Sequence, residues 1–221
     1  MGHSEVWGPA GDRLMIVGLT GGIASGKTEA VRELERMGAL VIDADIVARD
    51  VTVPGAVAYE AVVREFGENV LDASRQIDRG ALAAIAFADE GKRQLLNSIT
   101  HPAIFAEIVR RVGEYAECLG GTDVPAAVVD AALIVDVGAS SVFDLLLVVT
   151  ADEECRVERL TGDRGMSERE SRERISAQVP DSQRVEMADL VIENNGTLGA
   201  LRSRVGDAWR EIERRSRFLY C

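Results

Sequence analysis

Basic residues are scarce in this chain relative to acidic ones. Among its 221 residues, 25 are lysine or arginine and 37 are aspartate or glutamate, which leaves a formal net charge of −12 at pH 7. Proteins that grip nucleic acids neutralise phosphates with clustered lysine and arginine side chains, and the sequence contains no such block. The charge balance argues against a nucleic-acid partner and favours solubility.

Cysteines are also few, and long apolar runs are missing. Cys118, Cys155 and Cys221 have neither metal-site spacing nor the even number of a disulfide framework, so the sequence predicts reduced thiols. No stretch reaches the ~20 apolar residues of a membrane-spanning helix, and the first dozen residues lack the apolar core of a secretory signal. We expect a cytoplasmic protein without membrane contact, in which residues 1–12 form a flexible leader.

A phosphate-binding loop is the most informative feature that the sequence does contain. Residues 21–28, GGIASGKT, fit the pattern G-x-x-x-x-G-K-[ST] at every fixed position. Backbone N–H groups of such a loop and the positive end of the following helix face an anion. Lys27 is predicted to reach the β- and γ-phosphates of a nucleotide, and the Thr28 hydroxyl to bind Mg²⁺. The apolar residues 14–19 before the loop predict a buried strand, and residues 29–37 after it predict a helix.

Two carboxylates follow the second predicted strand, residues 39–42. Asp43 and Asp45 fall at the carboxyl edge of the sheet, where open α/β folds bind ligands. If the extended geometry persists, residues two apart point the same way, and one of the pair can accept a hydroxyl proton. In the alternative interpretation, Asp45 caps a helix that starts near Ile46 and Asp43 merely ends the strand.

The stretch from residue 51 to 119 has mostly helical patterns and predicts a helical insertion. Tyr59, Val62 and Phe66 make an apolar face that ends at Gly67, and Asp78 is suited to cap the next helix. His101 precedes Pro102, which favours the first turn of a helix. A histidine in this setting is more often structural than a ligand contact.

Strand and helix patterns continue to the C-terminus. Asp130 ends the third strand, where it either holds the hydration shell of Mg²⁺ or caps a turn. Residues 152–185 carry many arginines and acids, a pattern of either a solvated helical face or a mobile lid over the phosphates. The arginines of this segment that we single out are Arg156, Arg159, Arg164, Arg169, Arg172 and Arg174. The alternation predicts a parallel sheet flanked by helices, with the core in residues 13–50, 120–151 and 186–221 of a single domain.

In its ordered motifs the chain resembles the dephospho-coenzyme A kinase family over nearly all of its length after Arg13. The residues that carry the resemblance are the phosphate-binding loop, Ile42 to Asp45 with Ala48-Arg49, Thr100-His101-Pro102, Arg174 with Ala177-Gln178, and Ala188-Asp189 with Asn194-Asn195-Gly196. The resemblance implies a phosphate-loop NTPase fold and transfer of the ATP γ-phosphoryl group to the ribose 3′-hydroxyl of dephospho-coenzyme A. From the charge and the apolar pattern we expect no nucleic-acid or membrane partner, and we expect either a monomer or a weak homo-oligomer.

The resemblance also implies roles for individual residues. Asp45 matches the general base, Asp43 orients it or the metal, and Lys27 completes the catalytic set. Acceptor binding falls to Asp45, Arg49, His101 and Asp130, and Mg²⁺ to Thr28 with Asp43 or Asp130 through water. The expected ATP contacts are Gly22, Ile23, Ala24, Ser25, Gly26, Lys27, Thr28, Arg159, Arg164 and Asn195.

The chain departs from the family's pattern at two places. Ala132 stands where proline is usual, and Asp136 is a shortened equivalent of the family's glutamate. In the lid the usual Arg-Asp order is reversed to Asp163-Arg164, so that either Arg164 reaches the phosphates from a neighbouring direction or Arg159 replaces it.

Two other functions fit the loop alone. One is a kinase for another small hydroxyl acceptor, such as a nucleoside or nucleoside monophosphate. The other is a nucleotide switch, although the sequence has neither Asp-x-x-Gly nor Asn-Lys-x-Asp.

Overall fold

The protein is described here by a computed structural model that covers residues 14–118, 126–131, 134 and 142–218. The predicted leader 1–12, together with Ala132, Asp136 and Cys221, lies outside these residues. The described strands are β1 (Met15–Gly21), β2 (Leu40–Asp43), β3 (Ala126–Asp130), β4 (Leu145–Thr150) and β5 (Leu190–Glu193). The described helices are α1 (Lys27–Arg36), α2 (Ala44–Asp50), α3 (Tyr59–Phe66), α4 (Arg79–Ala88), α5 (Glu90–Cys118), α6 (Glu153–Arg164), α7 (Glu168–Ser176), α8 (Asp181–Met187) and α9 (Leu198–Phe218).

The strands form one five-stranded sheet in the order β2-β3-β1-β4-β5. β1 pairs in parallel with both β3 and β4, and β4 pairs in parallel with β5. β1 is therefore central, and its C-terminal end delivers the phosphate-binding loop to the middle of the sheet edge. This arrangement confirms the parallel sheet flanked by helices that the sequence predicts.

Both faces of the sheet are covered, which explains why its strands read as continuous apolar runs. Alternate residues of β4 point to opposite sides: Leu147 joins the larger core cluster, and Val148 joins a second cluster. The larger cluster also includes Leu34 of α1 and Trp209 of α9. A parallel sheet is stable in this form because helices remove both of its apolar faces from water.

The chain divides into two compact units, and the second of them is helical. The first unit comprises Met1–Ile42 and Leu119–Cys221, and the second comprises Asp43–Cys118, which begins earlier than the insertion predicted over residues 51–119. Its core contains Val62, Phe66 and Leu82. As predicted, α3 ends at Gly67, which has a φ of 83°, and the Asp78 carboxylate caps α4 by accepting from the Ala81 N–H at 3.0 Å.

The prediction that a helix begins at Pro102 is wrong. Pro102 lies inside α5, which continues to Cys118. A proline in a helix interior lacks the N–H that would bond four residues back. Packing on both sides of the proline maintains the helix, because Leu96 and Ile99 contact the helical core before it and Ile108 is buried after it.

The helices offer no candidate for a membrane span within the part of the chain that the structure describes. None of them combines the length with the apolar character that crossing a bilayer requires.

Candidate active site

The loop between β1 and α1 has a backbone that few residue types tolerate. Ala24 and Gly26 both have positive φ angles, 58° and 98°. A Cβ on Gly22 would lie 2.7 Å from the Arg156 Nη2 atom, and a Cβ on Gly26 would overlap the Asn194 amide nitrogen. The glycines therefore serve two purposes: they permit the turn, and they let neighbouring side chains pack directly on the loop backbone.

An open pocket of about 610 Å³ lies over this loop. Besides residues 21–29, its lining includes Arg159, Asp163, Arg164, Gln178, Asn194, Gly196, Leu198 and Leu201. Every loop residue predicted to bind ATP lines it, as do both arginines that were weighed for phosphate contact. The pocket has polar groups at the loop and apolar side chains at Leu198 and Leu201, a combination suited to a nucleotide.

Arg156 joins the arginine-rich segment to the loop. Its side chain is 5% exposed, its Nε donates to the Ile23 carbonyl at 2.8 Å, and its Nη1 pairs with Asp181 at 3.0 Å. Its Nη2 donates to the Gln178 Oε1 atom at 3.0 Å, which also accepts from the Ile23 N–H at 2.8 Å. Burial lowers the pKa of the Arg156 guanidinium from its ordinary value, and the charge of Asp181 acts against that shift. Arg156 and Gln178 thus hold Ile23 through both its N–H and its carbonyl.

Arg159 holds the next part of the loop. Its Nη1 donates to the Ala24 and Ser25 carbonyls at 3.0 and 3.3 Å, and its Nη2 donates to the Asn194 carbonyl at 2.6 Å. Arg164 also lines the pocket and has no hydrogen bond or ion pair with the described residues. The two arginines therefore differ: Arg159 is committed to the loop backbone, and Arg164 has a guanidinium available to a ligand.

Arg169, Arg172 and Arg174 are engaged on the surface of this segment. Arg172 pairs with Glu153 at 2.6 Å, and also with Glu154 and Glu168, while Arg174 pairs with Glu170 at 3.1 Å. These exposed pairs are typical of a solvated helical face, so the segment combines that character with the contacts of Arg156 and Arg159 to the loop.

The two asparagines after β5 have different partners. Asn194 is buried, lines the pocket and donates from its Nδ2 to the Ser25 carbonyl at 2.8 Å. Asn195, which the sequence places among the ATP contacts, instead accepts the Asp152 N–H at 2.8 Å and is not among the lining residues. The structure therefore puts Asn194 at the pocket and Asn195 at the residue that precedes α6.

Lys27 and Asp130 meet at the ends of neighbouring strands. The Lys27 ammonium forms an ion pair with the Asp130 Oδ1 atom, and each side chain is 19% exposed. β1 and β3 run side by side in parallel, so the residues that follow their C-terminal ends share one edge of the sheet. Asp130 therefore lies at the loop, in contact with Lys27, and most of the turn that it was expected to cap lies outside the described residues.

The protein oxygens at the loop are too few to hold Mg²⁺ alone, but they fit Mg²⁺ that is also bound by substrate phosphates. Thr28 is exposed and lines the pocket, and Asp130 adds a carboxylate whose Oδ1 contacts Lys27. Among the described residues no group of three His, Cys, Asp or Glu side chains is placed to hold a metal. Mg²⁺ in proteins keeps waters and takes one or two protein oxygens together with substrate phosphates, which is what this donor set allows.

Asp43 and Asp45 are arranged differently from the extended pair that the sequence suggests. The strand ends at Asp43, and its Oδ1 accepts the N–H groups of Asp45 and Ile46 at 2.8 and 3.1 Å. Asp43 is thus the N-cap of α2, and Asp45 lies in the first turn, so neither the extended geometry nor the predicted cap at Asp45 is correct. Asp43 adopts the capping conformation and not the extended one because the unpaired N–H groups of the first turn need an acceptor.

The second unit also holds the other residues expected to bind an acceptor. Asp45 and Arg49 are exposed and lie four residues apart on α2, hence on one helix face. His101 is half-buried in α5, and burial lowers the pKa of its imidazole, which favours the neutral form at pH 7.

Sequence patterns missed how the loop is held. Arg156 of α6, Gln178 after α7 and Asp181 of α8 act together through side-chain contacts. No local period distinguishes a buried arginine from an exposed one in a segment this rich in charge. The sequence gives one indication of this packing, which is the glycine at position 22, where Arg156 leaves no room for a Cβ atom.

Comparison with known proteins identifies close relatives. The family model for dephospho-CoA kinase matches residues 15–199 of the chain. The dephospho-CoA kinase of Thermobifida fusca is 43% identical over 207 residues, covering 91% of this chain and 98% of that protein. That of Corynebacterium efficiens is 44% identical over 199 residues, covering 90% and 98%.

Solved structures agree with the fold. A crystal structure of a Thermus thermophilus protein superposes with a TM-score of 0.68 at 29% identity and covers 90% of this chain and 98% of its own. The match includes both the sheet and the helical unit, since most of each chain is aligned.

Proposed function

The chain belongs to the dephospho-CoA kinase family, and from this premise we infer how its residues transfer the γ-phosphoryl group of ATP to the ribose 3′-hydroxyl of dephospho-coenzyme A. This is the final step of coenzyme A biosynthesis. The observation that carries the inference is the loop pocket with Lys27, Thr28 and Arg164 on its wall, in a chain that matches the family along its length. Phosphoryl transfer of this kind depends on positioning and electrostatics.

The loop binds the donor. The loop and the start of α1 line the pocket, and backbone N–H groups at such a loop stabilise phosphate oxygens. Lys27 exchanges its contact with Asp130 for the β- and γ-phosphates, because a dianionic phosphate group attracts the ammonium more strongly than one carboxylate does. Arg164 neutralises charge that develops on the transferred group, while Arg159 keeps the loop in place.

We propose that Mg²⁺ takes part in the reaction and that Thr28 would bind it. The Thr28 hydroxyl would be the protein ligand of the ion, and Asp130 or Asp43 would hold a water of its shell. When bound, the ion neutralises charge on the β- and γ-phosphate oxygens. The chain contributes the orientation of that ion, and Lys27 and Arg164 contribute the remaining positive charge.

Asp45 is the proposed general base. It lies in the first turn of α2, and its carboxylate makes no hydrogen bond or ion pair with the described residues, so it is available to accept the proton of the 3′-hydroxyl. Asp43 fixes the first turn by capping it and so positions Asp45. Arg49 and His101 complete the acceptor site of the proposal.

We also propose functions for the helical insertion, residues 51–119, and for the arginine-rich segment. The helical insertion binds the acceptor, and residues 152–185 act as a lid that excludes water. Cytoplasmic location and a monomer or weak homo-oligomer are also part of it, as the sequence suggests.

An acceptor-dependence assay tests the function. We expect the purified protein with Mg²⁺ and ATP to release ADP only when dephospho-coenzyme A is added, and the product to gain the mass of one phosphate. A panel of nucleosides and nucleoside monophosphates serves as the control for acceptor identity. Phosphorylation of one of these in preference would point to another small-acceptor kinase, and ADP release that ignores every acceptor would point to a nucleotide switch.

A further inference from the structure

One face of the short helix α2 carries more than the expected acceptor residues. Asp45, Ala48, Arg49 and Thr52 are spaced i, i+3, i+4 and i+7, so they lie in a row along one side of the helix. The Thr52 hydroxyl donates to the Ala48 and Arg49 carbonyls at 2.8 and 3.1 Å, which extends the helical arrangement past Asp50. The row therefore continues to Thr52.

Arg79, the first residue of α4, lies against this row. Its Nη2 atom is 3.2 Å from the Thr52 Oγ1 atom and 3.5 Å from the Ala48 carbonyl oxygen. Burial, and then the nearby charge of Arg49, lower the pKa of the Arg79 guanidinium from its ordinary value, while Asp45 and Asp50 act in the opposite direction. The guanidinium thus has neutral hydrogen-bond partners, with Arg49 and Asp45 as charged neighbours.

Arg49 and Arg79 differ from the other arginines of the unit Asp43–Cys118. Each of the others has a carboxylate within ion-pair distance: Arg64 has Glu65, Arg75 has Glu68, Arg93 has Glu90, Arg110 has Glu107 and Glu114, and Arg111 has Asp50 and Glu107. Neither Arg49 nor Arg79 has an ion pair with the described residues. Asp45 and Asp50 are charged neighbours of Arg79, but Asp50 is ion-paired with Arg111, and neither carboxylate forms an ion pair with Arg49 or Arg79. In a chain of net charge −12, two neighbouring guanidiniums without an ion-pair partner can bind an anion from outside.

The acceptor chemistry fits this anion site. Dephospho-coenzyme A carries a diphosphate on the 5′ side of the same ribose whose 3′-hydroxyl reacts. Residues i and i+4 of a helix are about 5–6 Å apart at their Cβ atoms, so a base at Asp45 and cations one turn further address two sides of one ribose. Arginine suits the second task because its planar fork binds phosphate oxygens in pairs.

We propose that Arg79 joins Arg49 to form a two-guanidinium site for the 5′-diphosphate of the acceptor, which places the ribose 3′-hydroxyl at Asp45. Arg79 is thereby a further acceptor-binding residue, supplied by α4 and held in place by Thr52. This inference rests on the proposed function. It adds a specificity element: acceptors without the diphosphate lose the contacts that position the ribose.

The test compares Arg79→Gln, Arg79→Lys and the control Arg64→Gln in the full chain. Arg64 is an exposed arginine of the same unit that already has a carboxylate partner. We expect Arg79→Gln to raise the KM for dephospho-coenzyme A by about 10- to 100-fold, the loss of charge-assisted hydrogen bonds to a phosphate. The KM for ATP and the Tm should stay close to those of the unmodified chain, Arg79→Lys should have a smaller effect, and Arg64→Gln none.

Two further measurements separate ligand binding from support of α2. The KM for dephospho-coenzyme A should rise less steeply with KCl in Arg79→Gln than in the unmodified chain, because one cation–phosphate contact is missing. In the unmodified chain at saturating ATP and Mg²⁺, inorganic diphosphate should inhibit competitively against dephospho-coenzyme A. The second measurement needs no variant, so a failure of Arg79→Gln to fold leaves the test intact.

The outcomes distinguish the two levels of the argument. An unmodified chain that does not phosphorylate dephospho-coenzyme A contradicts the proposed function itself. An active chain in which Arg79→Gln leaves the acceptor KM unchanged, or lowers kcat and Tm together without affecting that KM, contradicts only the role of Arg79. Diphosphate inhibition that is not competitive with the acceptor contradicts it as well.

Discussion

Two aspartates that look equivalent in the sequence have separate tasks. The Asp43 Oδ1 atom accepts the N–H groups of Asp45 and Ile46, so this carboxylate is a structural cap. Asp45, two residues later, has no such contact with the described residues and is exposed. A capping carboxylate positions the turn that carries the proposed base, which gives the Asp-x-Asp spacing a physical reason.

Substitution of Asp45 tests the base directly. Asp45→Asn keeps the size of the side chain but cannot accept the hydroxyl proton, so we expect kcat to fall by roughly 10²- to 10⁴-fold. ATP affinity should remain, since the donor pocket is lined by other residues. Steady-state ADP release and an ATP titration measure the two quantities.

Asp43→Asn is the matched control for that substitution. Asparagine is as good an N-cap as aspartate, so we expect helix α2 to persist and turnover to fall much less than in Asp45→Asn. Equal losses in the two variants would show that the pair acts as one unit, and near-normal turnover of Asp45→Asn would remove the base assignment.

At the scale of elements, the phosphate-binding loop is held from outside. Arg156 and Arg159 of α6, Gln178 after α7 and Asn194 after β5 all bond to its backbone. Within the loop, the Gly22 carbonyl accepts the Ser25 N–H at 3.1 Å. The next three carbonyls accept from the side chains of Arg156, Arg159 and Asn194. These contacts couple the shape of the loop to the arginine-rich segment.

Removal of the buried arginine should therefore impair both stability and nucleotide binding. Arg156→Gln removes the side-chain donor to the Ile23 carbonyl and one of three donors to the Asp181 carboxylate, which retains Arg184 and Thr150. We expect a loss of about 2–4 kcal/mol in the free energy of unfolding, or roughly 5–15 °C in Tm for a chain of this size. The KM for ATP should rise about tenfold. Thermal melts and ATP-dependent kinetics provide the check.

Arg172→Gln is the control from the same segment. Arg172 makes exposed ion pairs with Glu153, Glu154 and Glu168, which contribute little to stability. We expect its Tm and its KM for ATP to stay close to those of the unmodified chain. If Arg172→Gln were as harmful as Arg156→Gln, the bond from Arg156 to Ile23 would not be the reason.

The sequence predicted what depends on neighbouring residues and missed what depends on distant ones. The strand, glycine loop and helix around Lys27 follow a local pattern and were predicted well, as was the cap at Asp78. The passage of α5 through Pro102 was not, because packing on either side outweighs the local cost of proline. The placement of Asn194 at the pocket depends on where the end of β5 meets the loop, which no local pattern encodes.

At the scale of the whole molecule, each compact unit holds one set of charged groups. The unit Met1–Ile42 with Leu119–Cys221 contains the donor pocket with Lys27 and Arg164, whereas Asp43–Cys118 contains Asp45, Arg49 and Arg79. In a chain of net charge −12, Arg164 of the first unit and Arg49 and Arg79 of the second have no ion pair with the described residues. Phosphates of the donor and of the acceptor are the anions that the proposal assigns to them.

This division predicts which amides each substrate protects from hydrogen exchange. A ligand that binds the native state suppresses local opening of the elements it contacts. ATP with Mg²⁺ should slow exchange in residues 21–28 and in the segment 153–164, because the loop and α6 are bonded to each other through Arg156 and Arg159. Dephospho-coenzyme A alone should slow exchange in residues 44–52 and at the start of α4.

Exchange measured by mass spectrometry with each ligand separately is the check, and Asp45→Asn, which should keep ATP protection, is the internal control. Protection of the same peptides by both substrates would contradict the assignment of donor and acceptor to separate units, since separate sites leave separate footprints.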